Sequence, residues 1–136
     1  IFFLWCLVCR THADYFMESI GGNGTSTTSS GDYGPATLAA IQAPRGIWVD
    51  LNGNTYVTEN TGNRVRKIDI NGYISTIAGT GHHGSTVHSG PGTFVNLTNV
   101  YGIVGDSASN IYFTGENYIW KYSTSSSIVS VFSNSS

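Results

Sequence analysis

The sequence repeats itself at an interval of about 55 residues, and this repeat constrains the fold more than any other feature. Intervals of this size indicate propellers and repeat arrays. The interval shortens slightly along the chain, and each change falls in a Gly- or Asn-rich connection, where insertions are tolerated best. The matching positions are Ile20 with Ile77, Gly22 with Gly79, Gly24 with Gly81, Gly34-Pro35 with Gly90-Pro91, Gly46-Ile47 with Gly102-Ile103, Asp50 with Asp106, Asn54 with Asn110, Tyr56 with Tyr112, Lys67 with Lys121, and Ile74 with Ile128.

Each copy divides into four β-rich runs separated by turn signals. The runs are residues 46–51, 55–58, 64–70 and 73–78 in the first copy, and 102–106, 111–114, 118–122 and 128–132 in the second. Asn52-Gly53 and Asn71-Gly72 are pairs that accept φ > 0 and close tight hairpins. We therefore predict an all-β fold of four-stranded antiparallel meanders. At most a turn or two of helix is expected, over residues 35–42.

Apolar runs such as Ile47-Trp48-Val49 alternate poorly with polar residues. Strands of this kind belong to sheets that are buried on both faces. A radial stack of four-stranded blades provides such burial, because each blade covers its neighbours.

Two stretches, Pro44-Arg45-Gly46-Ile47-Trp48-Val49-Asp50 and Asn63-Arg64-Val65-Arg66-Lys67-Ile68-Asp69, carry a family resemblance. With Gly31-Asp32-Tyr33-Gly34-Pro35 and Ile74-Ser75-Thr76-Ile77-Ala78-Gly79, they resemble the NHL-repeat family of β-propellers over about residues 16–132. The second copy departs from the pattern, since Gly115 stands where Glu59 stood. Propellers close with about four to eight blades. The resemblance thus implies an incomplete propeller, two blades of an expected six.

The chain divides into six segments. Residues 1–13 are interpreted as a truncated signal peptide, the alternative being a buried strand of an earlier repeat. The others are 14–43, the end of a preceding blade and a loop; 44–81, an NHL blade; 82–99, an inter-blade loop; 100–132, a divergent NHL-like blade; and 133–136, a tail. Both cysteines, Cys6 and Cys9, lie in the first segment, which excludes a disulfide framework across the repeats. The signal peptide and three Asn-x-Ser/Thr sequons predict a secreted or cell-surface protein.

Carboxylates and amides follow the second strand of each copy. Glu59 and Asn60 end that strand in the first copy, and Glu116 lies at nearly the same place in the second. Such carboxylates can act as acid and base or hold a metal, whereas loop-end Glu and Asn more simply meet water and cap turns. Asp50 and Asp106 end the innermost strands and precede turns, so we interpret them as turn caps rather than contacts to a ligand in a central channel.

Three histidines, His82, His83 and His88, cluster in a Gly-rich loop. Three imidazoles suggest zinc or copper, but no carboxylate or cysteine has the spacing of a metal motif, so no metal ligand is assigned. Solvent exposure explains them adequately. The resemblance places the inter-blade connections and the turn after the second strand on one face, where family members usually bind. Glu59, Asn60, His82, His83, His88 and Glu116 are therefore the candidate binding residues.

The balance of charge argues against a nucleic-acid partner. The formal net charge is −2, and the basic residues concentrate at Arg45, Arg64, Arg66 and Lys67, which we expect to be solvated strand charges. The second copy loses the arginines, so an RNA-binding NHL propeller is only a second alternative.

The chain shows no nucleophile with an adjacent base, no P-loop and no HExxH motif, and we assign no catalytic residue and no cofactor. We predict a noncatalytic propeller module that binds a protein, small-molecule or glycan ligand on the loop face. The alternative is part of a lyase or hydrolase with a metal in the central channel, which the resemblance also permits. Further NHL blades are needed to close the ring, and the isolated piece is expected to self-associate.

Overall fold

Nearly all of the regular structure is β-strand. The computed structural model describes residues 4–9, 15–25, 27–84 and 89–134, whose strands form sheets of two, four and five strands. The helical segments of this described part are two 3-10 turns, Ala36–Leu38 and Gly92–Phe94. Both observations agree with the predicted all-β class. Within the same ranges, no helix has the length and apolar character needed to span a membrane.

The first two strands form an antiparallel hairpin. β1 (Leu4–Cys9) pairs with β2 (Tyr15–Gly21) from Cys9 opposite Tyr15 to Leu4 opposite Gly21. β1 lies within the segment interpreted as a signal peptide. Residues 1–3 and 10–14 lie outside the described residues. Removal of residues 1–13 on secretion therefore stays a prediction.

The four-stranded sheet, named here the first blade, is an antiparallel meander. Its strands are β3 (Pro44–Val49), β4 (Thr55–Glu59), β5 (Arg64–Ile68) and β6 (Ile74–Ala78). They pair in chain order. Gly53 and Gly72 each have φ of 82° and supply the left-handed residue of the β3–β4 and β5–β6 turns. The first blade thus has the predicted architecture.

The five-stranded sheet, named here the second blade, repeats the meander and adds a strand. Its members are β7 (Ser89–Pro91), β8 (Val100–Gly105), β9 (Ile111–Gly115), β10 (Tyr118–Ser123) and β11 (Ile128–Asn134), in the order β7-β11-β10-β9-β8. The extra strand β7 covers the outer edge of β11. Pro35 makes an isolated antiparallel bridge to Tyr73 at the same place in the first blade. Both Gly-Pro segments therefore protect an outer strand edge.

These edge contacts correct the repeat alignment by one residue. Pro91 pairs with Ile128, and Pro35 pairs with Tyr73. The structural counterpart of Ile128 is therefore Tyr73, and Ile74 corresponds to the equally buried Val129. Sequence identity matched Ile74 to Ile128 because it cannot detect which residue faces the core.

The connection from β2 to β3 repeats the connection from β6 to β8. The corresponding backbone hydrogen bonds run from N–H to carbonyl oxygen: Gly22 to Ala36 (2.9 Å) and Gly79 to Gly92 (2.9 Å), then Asn23 to Ala39 (2.9 Å) and Thr80 to Val95 (3.2 Å). Gly22 and Gly79 also share a left-handed conformation, with φ of 90° and 93°. β2 therefore occupies the position of the outermost strand of a preceding blade.

The main core lies between the two blades. One face of the first blade packs against the second blade, and the connecting segment fills the space between them. The buried members are Tyr56, Val65, Ala78, Val95, Leu97, Val100, Ile111, Phe113, Trp120, Tyr122 and Val129. Burial of each large apolar side chain contributes about 1.5–3 kcal/mol, so this seam holds the two blades together.

Two surfaces of the blades have exposed apolar residues and are not packed against another sheet in the described part of the chain. Ile47 and Val49 on β3 are 46% and 53% exposed, and Val104, Ile119 and Phe132 are exposed on the far face of the second blade. The expectation that both faces of every strand are buried is correct for β4, in which all five residues are buried. It is wrong for β3, where exposed and half-buried residues alternate. Incomplete closure of the propeller explains the difference.

Candidate functional site

The turn after β4 and the connection after β6 meet at one end of the blades. The Arg64 guanidinium donates from Nη2 to Thr80 O at 3.1 Å, and the Asn99 N–H donates to Asn63 Oδ1 at 3.0 Å. Asn60 Nδ2 donates to Val100 O at 3.2 Å. We name this surface, residues 60–63, 79–84 and 96–101 with the β9–β10 turn at 116–117, the loop rim.

Glu59 lies beneath the loop rim rather than on it. Its side chain is 0% exposed, so the prediction that it offers a carboxylate at the surface is wrong, as is the alternative that it meets water. Its carboxylate accepts hydrogen bonds from Ser29 Oγ at 2.5 Å, the Gln42 N–H at 3.1 Å and Arg66 Nη1 at 3.0 Å. These contacts attach the segment that follows β2 to the first blade.

Arg66, the partner of Glu59, is also buried. Only 1% of its side chain is exposed, so the prediction of a solvated strand charge is wrong at this position. Its other contacts include Asp32 Oδ1 at 2.8 Å and Ser30 O at 3.1 Å. Removal from water raises the pKa of the Glu59 carboxyl, more than Arg66 and the hydrogen bonds lower it.

The sequence contains a signal for this pair that was missed. Glu59 and Arg66 lie on adjacent strands, and the Val57–Arg66 and Glu59–Arg64 registers place both side chains on one sheet face. A short turn between two β-runs fixes such a register. The register alone, however, leaves Asp32 and Ser29 unidentified, because they reach Arg66 from the preceding segment.

The remaining candidate residues divide between structure and surface. Asn60 is buried, and its side-chain amide donates a hydrogen bond to the Val100 carbonyl oxygen. Glu116 is exposed in the β9–β10 turn, with φ of 46°. The counterpart of Glu59 in the second blade is Gly115, as the alignment indicated. The carboxylates of Glu59 and Glu116 are therefore not equivalent, and a shared acid–base role has no structural basis.

His82 and His83 are exposed on a loop whose backbone is anchored. The His82 N–H donates to Thr80 Oγ1 at 3.1 Å, and His83 forms a parallel bridge with Leu97. The next residue, Gly84, donates its N–H to Thr98 Oγ1 at 3.2 Å. His88 lies outside the described residues. Among the residues that the structure does describe, no three His, Cys, Asp or Glu side chains approach closely enough to hold a metal ion.

Asp50 and Asp106 cap turns, as predicted, and they do so with the same set of bonds. In each copy the carboxylate accepts two backbone N–H groups of the β-turn, an Asn side chain and a Tyr hydroxyl. The Asn side chain lies four residues later and the Tyr six, at 54 and 56 or at 110 and 112. The signal was present in the repeat as matching Asp, Asn and Tyr residues.

The hydrogen bonds around both carboxylates affect their protonation. Burial alone raises the pKa of Asp50, but the bonds from Asn54, Tyr56 and Asn52 together bring it below the ordinary value. The Asn110 side chain has the largest effect on Asp106 and holds its pKa low. Burial and the facing carboxylate raise the pKa of Tyr56. These groups are therefore committed to the innermost hairpins.

A shallow cleft opens at the opposite ends of the strands from the loop rim. Its volume is about 190 Å³, below the 300–1,000 Å³ of usual ligand pockets. The lining residues are Tyr33, Lys67, Asp69, Tyr73, Ile74 and Ser75.

Curated relatives with similar sequences are teneurins. Teneurin-3 of Danio rerio is 48% identical over 50 residues, which cover 37% of this chain and 2% of that protein. Teneurin-4 of Homo sapiens is 47% identical over 68 residues, covering 46% of this chain and 2% of that protein. The chain thus spans about 2% of the length of the curated relatives it matches.

Solved structures support the same fold. A protein of unknown function from Bacteroides thetaiotaomicron superimposes with a TM-score of 0.65 and 26% identity, over 76% of this chain and 26% of its own. Virginiamycin B lyase from Staphylococcus aureus superimposes with a TM-score of 0.50 and 19% identity, over 68% of this chain and 27% of its own. At that identity the lyase is evidence for the fold alone.

The family model described as the Teneurin NHL domain matches residues 14–102. This range contains β2, the whole first blade and the connection with the exposed histidines, and it extends into β8. The match covers more than half of the chain and confirms the NHL resemblance of its repeats. The chain belongs to the Teneurin NHL domain family.

Proposed function

We propose that this NHL unit is a noncatalytic binding module of an extracellular protein, and that its ligand contacts the loop rim at His82 and His83. The observation that carries the proposal is the contrast between side chain and backbone in this loop. Both imidazoles are exposed, while hydrogen bonds to Thr80 and Thr98 and the bridge to Leu97 order the backbone. Exposed side chains on an ordered loop bind with less loss of conformational freedom.

The charged residues beneath the rim support this assignment, because they are occupied by internal contacts. Glu59 and Arg66 form the buried pair. Asn60 joins the two blades. Glu59, Arg66 and Asn60 therefore set the shape of the loop rim. We assign ligand contact to His82 and His83, with the exposed Glu116 at the edge of the rim.

Further blades complete this module in the proposal. The exposed Val104, Ile119 and Phe132 lie on the far face of the second blade, where Trp48, Val65 and Ile77 of the first blade pack against their neighbour. An apolar face at the positions that are buried in the first blade favours another blade as its cover. Without one, we expect copies of the chain to self-associate.

The test of ligand binding uses the protein that carries this domain, immobilised and probed with purified receptor ectodomains and with a glycan array. A ligand found in this way should lose about tenfold in affinity when His82→Ala and His83→Ala are combined, which corresponds to about 1.4 kcal/mol. Asn71→Ala, in the turn at the opposite ends of the strands, is the matched control and should leave the affinity unchanged.

Thermal melting of all variants must coincide, since the comparison concerns contact rather than folding. A ligand that requires Asn71 and ignores both histidines would contradict the proposal and move the binding surface to the opposite face. A ligand lost equally in both variants would contradict it as well, because contact would then not be confined to the loop rim.

A further inference from the structure

The three sequons of the chain differ in their structural setting. They are Asn23-Gly24-Thr25, Asn96-Leu97-Thr98 and Asn134-Ser135-Ser136. The first two lie within the described residues, whereas Ser135 and Ser136 lie outside them. A sequon is an acceptor in a folded secreted protein when it lies on a surface loop.

The first sequon lies on the surface connection that follows β2. Asn23, Gly24 and Thr25 are all exposed. Thr25 donates its N–H at 2.9 Å and its hydroxyl at 2.6 Å to Asn23 Oδ1, which turns the Asn amide and the Thr hydroxyl toward each other. Gly24 has φ of 81°, which suits a glycine, so this compact turn forms without backbone strain.

The Asn23 amide nitrogen is compatible with substitution. Asn23 Nδ2 donates one hydrogen to Leu38 O at 3.1 Å. A primary amide nitrogen carries two hydrogens, so the second is available for replacement by a sugar. The substituted nitrogen retains one N–H, which can continue to donate to Leu38. The folded structure and the modified side chain are therefore compatible.

The second sequon is built into the loop rim. Leu97 is fully buried and Thr98 is buried, while Asn96 Oδ1 accepts a hydrogen bond from Thr80 Oγ1 at 2.5 Å. Thr98 Oγ1 accepts the Gly84 N–H at 3.2 Å. The polar groups of this sequon hold the histidine loop in place. Asn96 is itself half-buried beside the buried Leu97 and Thr98, so a sugar on its amide nitrogen would have less open surface around it than a sugar on the exposed Asn23.

We propose that Asn23 is an N-glycosylation site of this protein and that Asn96 is not. The inference rests on the extracellular location in the proposed function. In the transfer, Asn23 Nδ2 forms a bond to the anomeric carbon of a lipid-diphosphate-linked oligosaccharide. The bond from that carbon to the diphosphate oxygen breaks, the lipid diphosphate leaves with the electron pair, and one Nδ2 proton passes to a base.

The glycan would stand on the same side of the blades as the ligand surface. Asn23 occupies, after β2, the position that Thr80 occupies after β6, since both donate their N–H to equivalent carbonyl groups. Thr80 anchors the His82 backbone. The sugar on Asn23 thus marks the boundary of the loop rim one blade earlier and restricts the direction from which a large ligand approaches.

The experiment uses the full chain with an added secretory leader, expressed in mammalian cells with Asn134→Gln to silence the third sequon. Intact mass before and after peptide N-glycosidase treatment counts the glycans, both in the medium and in the cell lysate. We expect one glycan, its complete loss in Asn23→Gln and in Thr25→Val, and its retention in Thr25→Ser and Asn96→Gln.

An unglycosylated parent, a glycan that survives Asn23→Gln, or a glycan lost in Asn96→Gln would each overturn the assignment. Measurement in the lysate covers any variant that fails to leave the cell. The mass measurement requires no ligand. A failure of the glycosylation proposal can therefore be distinguished from a failure of the proposed ligand contact at His82 and His83.

Discussion

Replacing Glu59 with alanine should destabilise the protein far more than its position at a strand end suggests. The 0%-exposed carboxylate accepts hydrogen bonds from Arg66, Ser29 and the Gln42 backbone. Without it, the 1%-exposed Arg66 retains only one carboxylate partner, Asp32, which is 35% exposed. Deleting one partner of a buried pair costs about 3–5 kcal/mol. That is a large fraction of the roughly 5–15 kcal/mol that stabilises a domain.

Pulse proteolysis in urea measures the free energy of unfolding without requiring an assigned activity. Glu116→Ala is the matched control, because it removes the same side chain from an exposed turn, and it should change stability by less than about 0.5 kcal/mol. Combining Glu59→Ala with Arg66→Met should recover part of the loss, since no unpaired charge then remains buried. If Glu59→Ala and Glu116→Ala unfold at the same urea concentration, the argument from the buried pair is refuted.

Three further outcomes are expected. Val57→Asp should lower the free energy of unfolding by several kcal/mol in the same assay, because Val57 is fully buried. Val49→Asp should lower it little, because Val49 is 53% exposed. Equal effects of the two changes would contradict the described burial. The lowered pKa of Asp50 contributes stability that is present above about pH 3.9 and lost as the pH falls through the folded-state pKa. Asp50→Asn should therefore flatten the pH dependence of stability below about pH 4. An unchanged slope would refute this. Ile119→Lys combined with Phe132→Lys should reduce self-association in sedimentation velocity, and unchanged association would place the contact elsewhere.

The strands were predictable because their signals are local. The Asn-Gly turns, the β-branched runs and the repeat itself fix the order and the antiparallel pairing of β3 to β6. The added strand β7 and the Pro35 bridge were not predicted, since a proline within a short Gly-rich stretch gives no strand signal. Proline is nonetheless suited to a sheet edge, where a missing N–H is tolerated. Edge pairing depends on what lies beside the segment in space.

The candidate site was harder to predict, because burial of a charge is a property of the whole packing. Glu59 and Asn60 are adjacent in sequence and were assigned together to the surface. The structure buries both, and it leaves His82 and His83 exposed. A charged residue at a strand end is normally solvated. Only the segment of residues 29–42, which folds back over the first blade, changes this for Glu59 and Arg66.

The two blades solve the same packing problem with different chemistry. Arg66 faces Val57 across the first blade, and Trp120 faces Phe113 at the corresponding place in the second. Two aromatic residues fill the seam between the blades, whereas the seam toward the preceding hairpin contains a charged pair with hydrogen bonds to Ser29 and Asp32. In an apolar seam, each side chain removed from water adds to stability. In a charged seam, the attraction between the charges must first offset the cost of removing them from water. The charged seam instead specifies geometry, because few arrangements place two carboxylates and two carbonyl oxygens around the terminal nitrogens of one guanidinium. The segment it fixes connects the Asn23 turn to β3, so the ion pair orients the loop that carries the proposed glycan.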